Sequence, residues 1–177
     1  MNIEDTLLAE HSKAQTLRIC QYIGDHQDRF DELMRLFLKG EYRVTQRAAW
    51  VISYCAEAHP QLIDSHLKKM LDNLEREGLH DAIKRNTLKV LSARQLPEEL
   101  LGQAATLSFD FLADPQEAIA IKVFSMEMLS QICLVEPGLA GELRLLIEDQ
   151  MPHASAGFRA RGKRILKKLP PAETDFY

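Results

Sequence analysis

Residues able to do chemistry crowd most densely near the end of the sequence. There Arg159, Arg161, Lys163, Arg164, Lys167 and Lys168 fall within ten positions of a chain whose net charge is −4. Cations at that density suit phosphates or an acidic protein surface. Residues 151–177 hold these six cations and two acidic side chains, whereas residues 1–150 hold 16 basic and 24 acidic ones. This segregation keeps nucleic acid open as a partner. No aromatic residue stands between the cations to stack on bases, which argues against single-strand binding.

The other reactive side chains form no recognisable centre. The six histidines, His11, His26, His59, His66, His80 and His153, include no His-Glu-x-x-His pair and no cysteine neighbours, so they are expected to be surface residues rather than metal ligands. His59 and His66 lie seven apart, but Pro60 breaks the helix that would bring them to one face. Cys20, Cys55 and Cys133 are widely separated and odd in number, which predicts buried apolar thiols rather than disulfides. There is no Gly-x-Ser-x-Gly elbow and no glycine-rich phosphate loop. Adjacent acids such as Glu98/Glu99 and Glu148/Asp149 point about 100° apart on a helix, too divergent for paired acid and base. Neither catalytic residues, nor a metal, nor a cofactor, nor a small-molecule substrate is expected.

The elements that must position the basic run come from a repeat. Five segments, "HSKAQTLRIC", "TQRAAWVISYC", "AIKRNTLKVL", "AIKVFSMEML" and "GFRARGKRIL", align on Lys13, Arg47, Lys84, Lys122 and Arg159, at separations of 34, 37, 38 and 37. Four positions beyond the anchor stand Leu17, Val51, Leu88 and Met126, and seven beyond stand Cys20, Tyr54, Leu91, Leu129 and Leu166. That is helical, not strand, spacing. Three beyond stand Thr16, Trp50, Thr87, Ser125 and Gly162, small in every unit but the second, as close helix approach requires. Trp50 is expected to fill space between hairpins.

Pro60, Pro97 and Pro137 follow their anchors by 13, 13 and 15 residues, each ending one helix and suiting the first turn of another. Phe30, Leu33, Met34, Phe37 and Leu38 form one helical stripe, and Ile63, Leu67, Met70, Leu71 and Leu74 form another. Each unit therefore reads as a helical hairpin, and the fold as all-α. About four hairpins and a terminal capping helix, within a single domain at 1–169, bury their stripes on one another. A mobile tail is expected at 170–177. The apolar fraction of 46% with 27% charged residues suits a globular chain. No apolar run approaches the ~20 residues that a membrane-spanning helix needs. Glu4 and Asp5 near the N-terminus oppose an export signal, so a cytoplasmic location is expected.

The phrase apolar-basic-x-x-small at helix starts, in "IKRNT", "IKVFS" and "FRARG", recurring at 37 or 38 residues, resembles the HEAT-repeat (armadillo-like) family over nearly the whole chain. The resemblance implies a right-handed α-solenoid. It also implies a non-enzymatic scaffold whose second helices line a concave face that binds a protein partner or, in some relatives, nucleic acid. HEAT-like glycosylases of DNA alkylation repair are the nucleic-acid alternative, in which the basic C-terminal helix would contact DNA. No residue here matches their catalytic tryptophans and aspartate.

Two candidate contact regions follow. On a helical wheel Phe158, Gly162, Ile165, Leu166 and Leu169 share one side of the last helix and its six cations the other, with Ser155 as N-cap. This predicts a capping helix whose Arg159, Arg161, Lys163, Arg164 and Lys168 face a partner. In "TLSFDFLAD", Phe111 continues a stripe of Leu100, Ala104 and Leu107, so Phe109 projects to the far side beside Gln103, Thr106 and Asp110. An aromatic there either packs against the next hairpin or forms a contact patch, and the second reading makes Phe109, Gln103 and Asp110 the further partner-binding candidates.

Overall fold

The computed structural model describes residues 1–170, which contain ten α-helices and no strand. The sequence-predicted tail, beyond its first residue, lies outside the described residues. Compactness divides the chain into two units, Met1–Val90 and Leu91–Tyr177.

The first unit opens with a helix the repeat pattern does not announce, α1 (Ile3–Ala9), capped by Asn2, whose side chain accepts from the Asp5 N–H at 3.1 Å. Only Ile3 and Leu7 of α1 are buried, one i, i+4 pair, which is too short to register as a period. α2 (Lys13–Ile23) is capped by Ser12 and ends at Gly24, where φ of +54° suits a residue without Cβ. α3 (Gln27–Lys39) and α4 (Tyr42–Ala58) complete the frame, with α4 packing on α1, α2 and α3. Phe30 and Phe37 sit at the centre, 0% and 1% exposed. The predicted stripe from Ile63 to Leu74 is buried throughout, but its first part winds as a 3-10 turn, Pro60–His66, before α5 (Leu67–Leu74). α6 (Asp81–Ser92) begins in this unit.

In the second unit α7 (Glu98–Ala113) pairs with α8 (Ile119–Ile132), and a short 3-10 turn at Pro137–Leu139 leads into α9 (Ala140–Gln150). Another turn at Met151–His153 precedes α10 (Ala156–Leu166), which packs on α8 and α9. Pro60, Pro97 and Pro137 each stand at a break between helices, at the start of the element that follows. No described helix is long and apolar enough to cross a membrane.

The aligned positions behave as predicted with informative exceptions. Three beyond the anchor, Thr16, Thr87, Ser125 and Gly162 are all buried, and Trp50 is half-buried. Four beyond, Val51, Leu88 and Met126 are buried, but Leu17 is 45% exposed. α2 buries a single stripe, Gln15, Thr16, Ile19, Cys20 and Ile23, and Leu17 turns away from it. α4 and α8 bury a broader arc of their circumference and so take in that position.

Candidate interaction surface

α10 is built as the sequence implies. Ser155 Oγ accepts from the Phe158 N–H at 3.3 Å, satisfying one orphan donor of the first turn. Phe158, Gly162, Ile165 and Leu169 are buried and Leu166 is half-buried. Gly162 explains the small register position physically: a Cβ there would lie 2.9 Å from Ile147 Cγ2 and 3.4 Å from Met151 Cε, so α10 approaches α9 as closely as a glycine permits. Downstream, Arg144 Nη2 of α9 donates to the Pro170 carbonyl at 3.3 Å.

The cations of α10 do not form one equivalent set. Arg161 is half-buried and ion-paired with Glu127 of α8, and Arg164 Nη2 reaches the same oxygen, Oε1, at 3.4 Å. Burial, followed by the nearby Arg164 charge, holds the Arg161 pKa below its ordinary value. Two of the predicted contact residues thus brace the second unit internally. Arg159, Lys163, Lys167 and Lys168 are solvent-exposed, and no described acidic side chain pairs with them. Glu127 lacks a motif signal, but its separation from Arg164 is 37 residues, one repeat, which is the spacing at which equivalent helices bring side chains level.

Two of the anchor cations, Arg47 and Lys122, have a structural use. Arg47 Nη1 donates to the Leu7 and Leu8 carbonyls at 2.6 and 3.1 Å, capping the C-terminus of α1. Buried Lys122 donates from Nζ to Gln150 Oε1 at 3.0 Å, and Gln150 Nε2 in turn donates to the Leu112 carbonyl near the end of α7 at 2.9 Å. Two of the five anchor cations are thereby tied to orphan carbonyls at helix ends, Arg47 directly and Lys122 through an amide.

The α7 candidates separate. Leu100, Leu101, Ala104, Ala105, Ser108 and Leu112 are buried, which places the packed stripe differently from the predicted one: Leu107 and Phe111 are only half-buried. Ala104, Ala105 and Ser108, small enough to permit close helix contact, belong to that stripe, with Ser108 near its centre. Phe109 is also half-buried and flanks it, while Asp110 is exposed and Gln103 half-buried on the outer side, seven residues apart on one helix face. Phe109 therefore does not form one patch with Gln103 and Asp110.

The histidines need one correction. His66 is not a surface residue; it is 6% exposed, packs edge-on against Phe30 and places Nε2 2.7 Å from Asp31 Oδ1. The 3-10 turn directs it inward over α3, a contact that linear motif rules do not contain. The Asp31 carboxyl is held below its ordinary pKa, chiefly by a hydrogen bond from Gln27 and further by His66. Trp50 packs edge-on with His11 at 5.5 Å and Tyr54 at 6.2 Å between ring centroids. The three cysteines are buried free thiols. Burial pushes Cys133 up to about 11; the Cys20 thiol, by hydrogen bonding, and burial both raise Cys55. Among the described residues no group of three or more His, Cys, Asp or Glu is placed to hold a metal ion.

Paired helices at a near-constant period, small residues at the points of closest approach and cations tied to helix ends define a helical-repeat protein. A model of the HEAT repeat domain matches residues 3–169, and the chain belongs to the HEAT-repeat family. Comparison with curated proteins and with solved structures gives no match.

Proposed function

We propose that this protein is a non-enzymatic interaction module that binds an acidic protein partner, with the exposed cations of α10 as its electrostatic contact. HEAT repeats commonly mediate protein interactions and generally act as scaffolds, which supports the class. The observation that carries the reading is the division of labour within α10. Arg161 and Arg164 are committed to Glu127, while Arg159, Lys163, Lys167 and Lys168 face solvent on a chain whose net charge is otherwise negative. Such a patch speeds encounter and selects partners by charge rather than supplying most of the affinity. Gln103 and Asp110 offer an outer polar face on α7 as a further contact.

The variant in which Arg159, Lys163, Lys167 and Lys168 all become glutamine tests this. Wild type used as bait in extract of its own cells should recover an acidic protein that the variant does not. Binding to a random-sequence DNA duplex should stay within the non-specific range, about 10⁻⁴–10⁻⁶ M at physiological salt. Duplex binding well below a micromolar Kd, with no protein recovered, would overturn the proposal in favour of nucleic acid.

A further inference from the structure

In the first unit the outward side of α4 follows helical spacing. Arg43, Arg47, Trp50, Tyr54 and Glu57 succeed one another by four, three, four and three residues, so they share one stripe, and none of them is buried. Every buried residue of α4 lies off it. α6 runs beside α4 in the same direction: the His80 and Tyr42 rings meet near the two starts, 5.6 Å between centroids, and Lys89 is ion-paired with Glu57 near the two ends. Arg85, one turn before Lys89, therefore comes level with the middle of the α4 stripe. Lys89 Nζ also lies 6.0 Å from the centroid of the Tyr54 ring, and His11 packs edge-on against Trp50 at 5.5 Å. Half-buried rings thus share one strip with cations.

Two of these cations are held by no acid. Arg43 and Arg85 are exposed, and among the described residues neither meets a carboxylate, whereas Arg47 is committed to the α1 carbonyls and Lys89 to Glu57. A guanidinium fork matches a carboxylate in two parallel hydrogen bonds, and tryptophan, tyrosine and arginine are the side chains on which protein contacts concentrate their energy. The spacing then selects the form of the ligand. Seven residues separate Arg43 from Trp50, about 10 Å along the helix, close to the ~9 Å that one three-residue turn of polyproline II spans. A segment in that form presents residues i and i+3 on one face and docks on aromatic surfaces at low entropic cost. A nucleic-acid strand fits less well, because exposed Asp81 at the start of α6 and Glu57 near the end of α4 oppose phosphates that recur at every nucleotide.

We propose that this strip of α4 and α6 binds an extended acidic segment of a partner protein, with an acidic residue held at Arg43 and Arg85 and, three residues away, an aromatic side chain against Trp50 and Tyr54. The strip shares no residue with α10. The inference therefore stands apart from the contact proposed for that helix.

Trp50 is the single tryptophan of the chain, so the intrinsic fluorescence of the full-length protein reports on this strip. The probe is the acetylated, amidated peptide Glu-Pro-Pro-Phe-Pro-Pro-Glu, whose acids stand three residues from the phenylalanine on both sides and so serve either chain direction. Titration should shift the Trp50 emission and saturate. A peptide with glutamine for both glutamates should bind roughly tenfold more weakly, as loss of a charge-assisted hydrogen bond implies, and one with alanine for phenylalanine should also weaken. Arg43→Gln combined with Arg85→Gln should lose the preference for glutamate over glutamine while the free variant keeps the wild-type emission. The variant with glutamine at Arg159, Lys163, Lys167 and Lys168 should bind the peptide as wild type does, whatever it recovers from extract, so the two proposals fail separately. Unchanged Trp50 emission at millimolar peptide would overturn the inference, as would equal affinity for the glutamate and glutamine peptides. Tighter binding of a random-sequence single-stranded oligodeoxynucleotide at the same salt would overturn it in favour of nucleic acid.

Discussion

Two glycines of the second unit look alike in sequence, each inside a helix, and differ in what surrounds them. Gly102 of α7 has nothing within 4 Å of the position a Cβ would take, whereas at Gly162 that position is 2.9 Å from Ile147 Cγ2. Alanine lowers the backbone entropy lost on folding at both sites, by about 0.5–1 kcal/mol. At Gly162 the neighbour is a methyl on the branched carbon of a fully buried isoleucine, which cannot swing aside as a long side chain would. Overpacking of this kind costs about 1–3 kcal/mol. Gly102→Ala should therefore raise the urea midpoint and Gly162→Ala should lower it.

The cysteines and Asp31 yield residue-scale predictions of a different sort. A Cys133 thiol with a pKa of about 11 is roughly one part in 10,000 thiolate at pH 7, and the side chain is buried as well. Iodoacetamide should leave Cys133 unmodified in the folded protein and alkylate all three cysteines in concentrated urea. Asp31 has a depressed folded-state pKa, so its contribution is present above the unfolded value of about 4 and lost as pH falls through the folded value. Because its side chain is about half exposed, that contribution is screened and small. Asp31→Asn should be slightly less stable than wild type at pH 6, and in acid unfolding the difference should shrink progressively once the pH falls below the unfolded value of about 4.

At the scale of elements, what the sequence reveals is whatever repeats. Paired helices, proline-marked breaks and small register positions recur every 34 to 38 residues, so the HEAT hairpins are legible before any coordinate is known. Features that occur once escape this reading. α1 has two inward residues and no counterpart in the repeat; the inward turn of His66 depends on a 3-10 stretch that a helical wheel treats as α-helix. The rotation of the α7 stripe from Leu107 and Phe111 to Ala105 and Ser108 has a related cause. A helix with alanine and serine at the contact can approach its neighbour closely, and burial then follows small size rather than hydrophobicity. The anchor cations lie between these cases: their period is visible, but the destination of Arg47 and, through Gln150, of Lys122 is carbonyls at the end of another helix. Arg47→Leu should remove the donor to the Leu7 and Leu8 carbonyls and cost about 1.5–3 kcal/mol, the usual value for a hydrogen bond from a charged group. Amide exchange in α1 should quicken more than in α3, since α1 is held by few buried side chains and this cap.

Across the whole molecule the charges of residues 159–168 divide into those that stabilise the fold and those that face outward, and stability measurements can separate the two. Glutamine at Arg159, Lys163, Lys167 and Lys168 takes the net charge from −4 to −8 without touching a described ion pair. Exposed positions of this kind usually shift stability by no more than about 0.5 kcal/mol each, and added salt screens the extra self-repulsion. Arg161→Gln with Arg164→Gln removes only two charges, yet it leaves Glu127, 21% exposed at its side chain, without its cations. A partly buried carboxylate stripped of its partners costs more than a surface pair and less than a fully buried one, about 1–2 kcal/mol here. In urea unfolding the double variant should therefore be less stable than the quadruple one despite its smaller change in net charge, with m unchanged in both. The reverse order would mean that overall charge balance, rather than the Glu127 cluster, is what the basic helix contributes to the folded state.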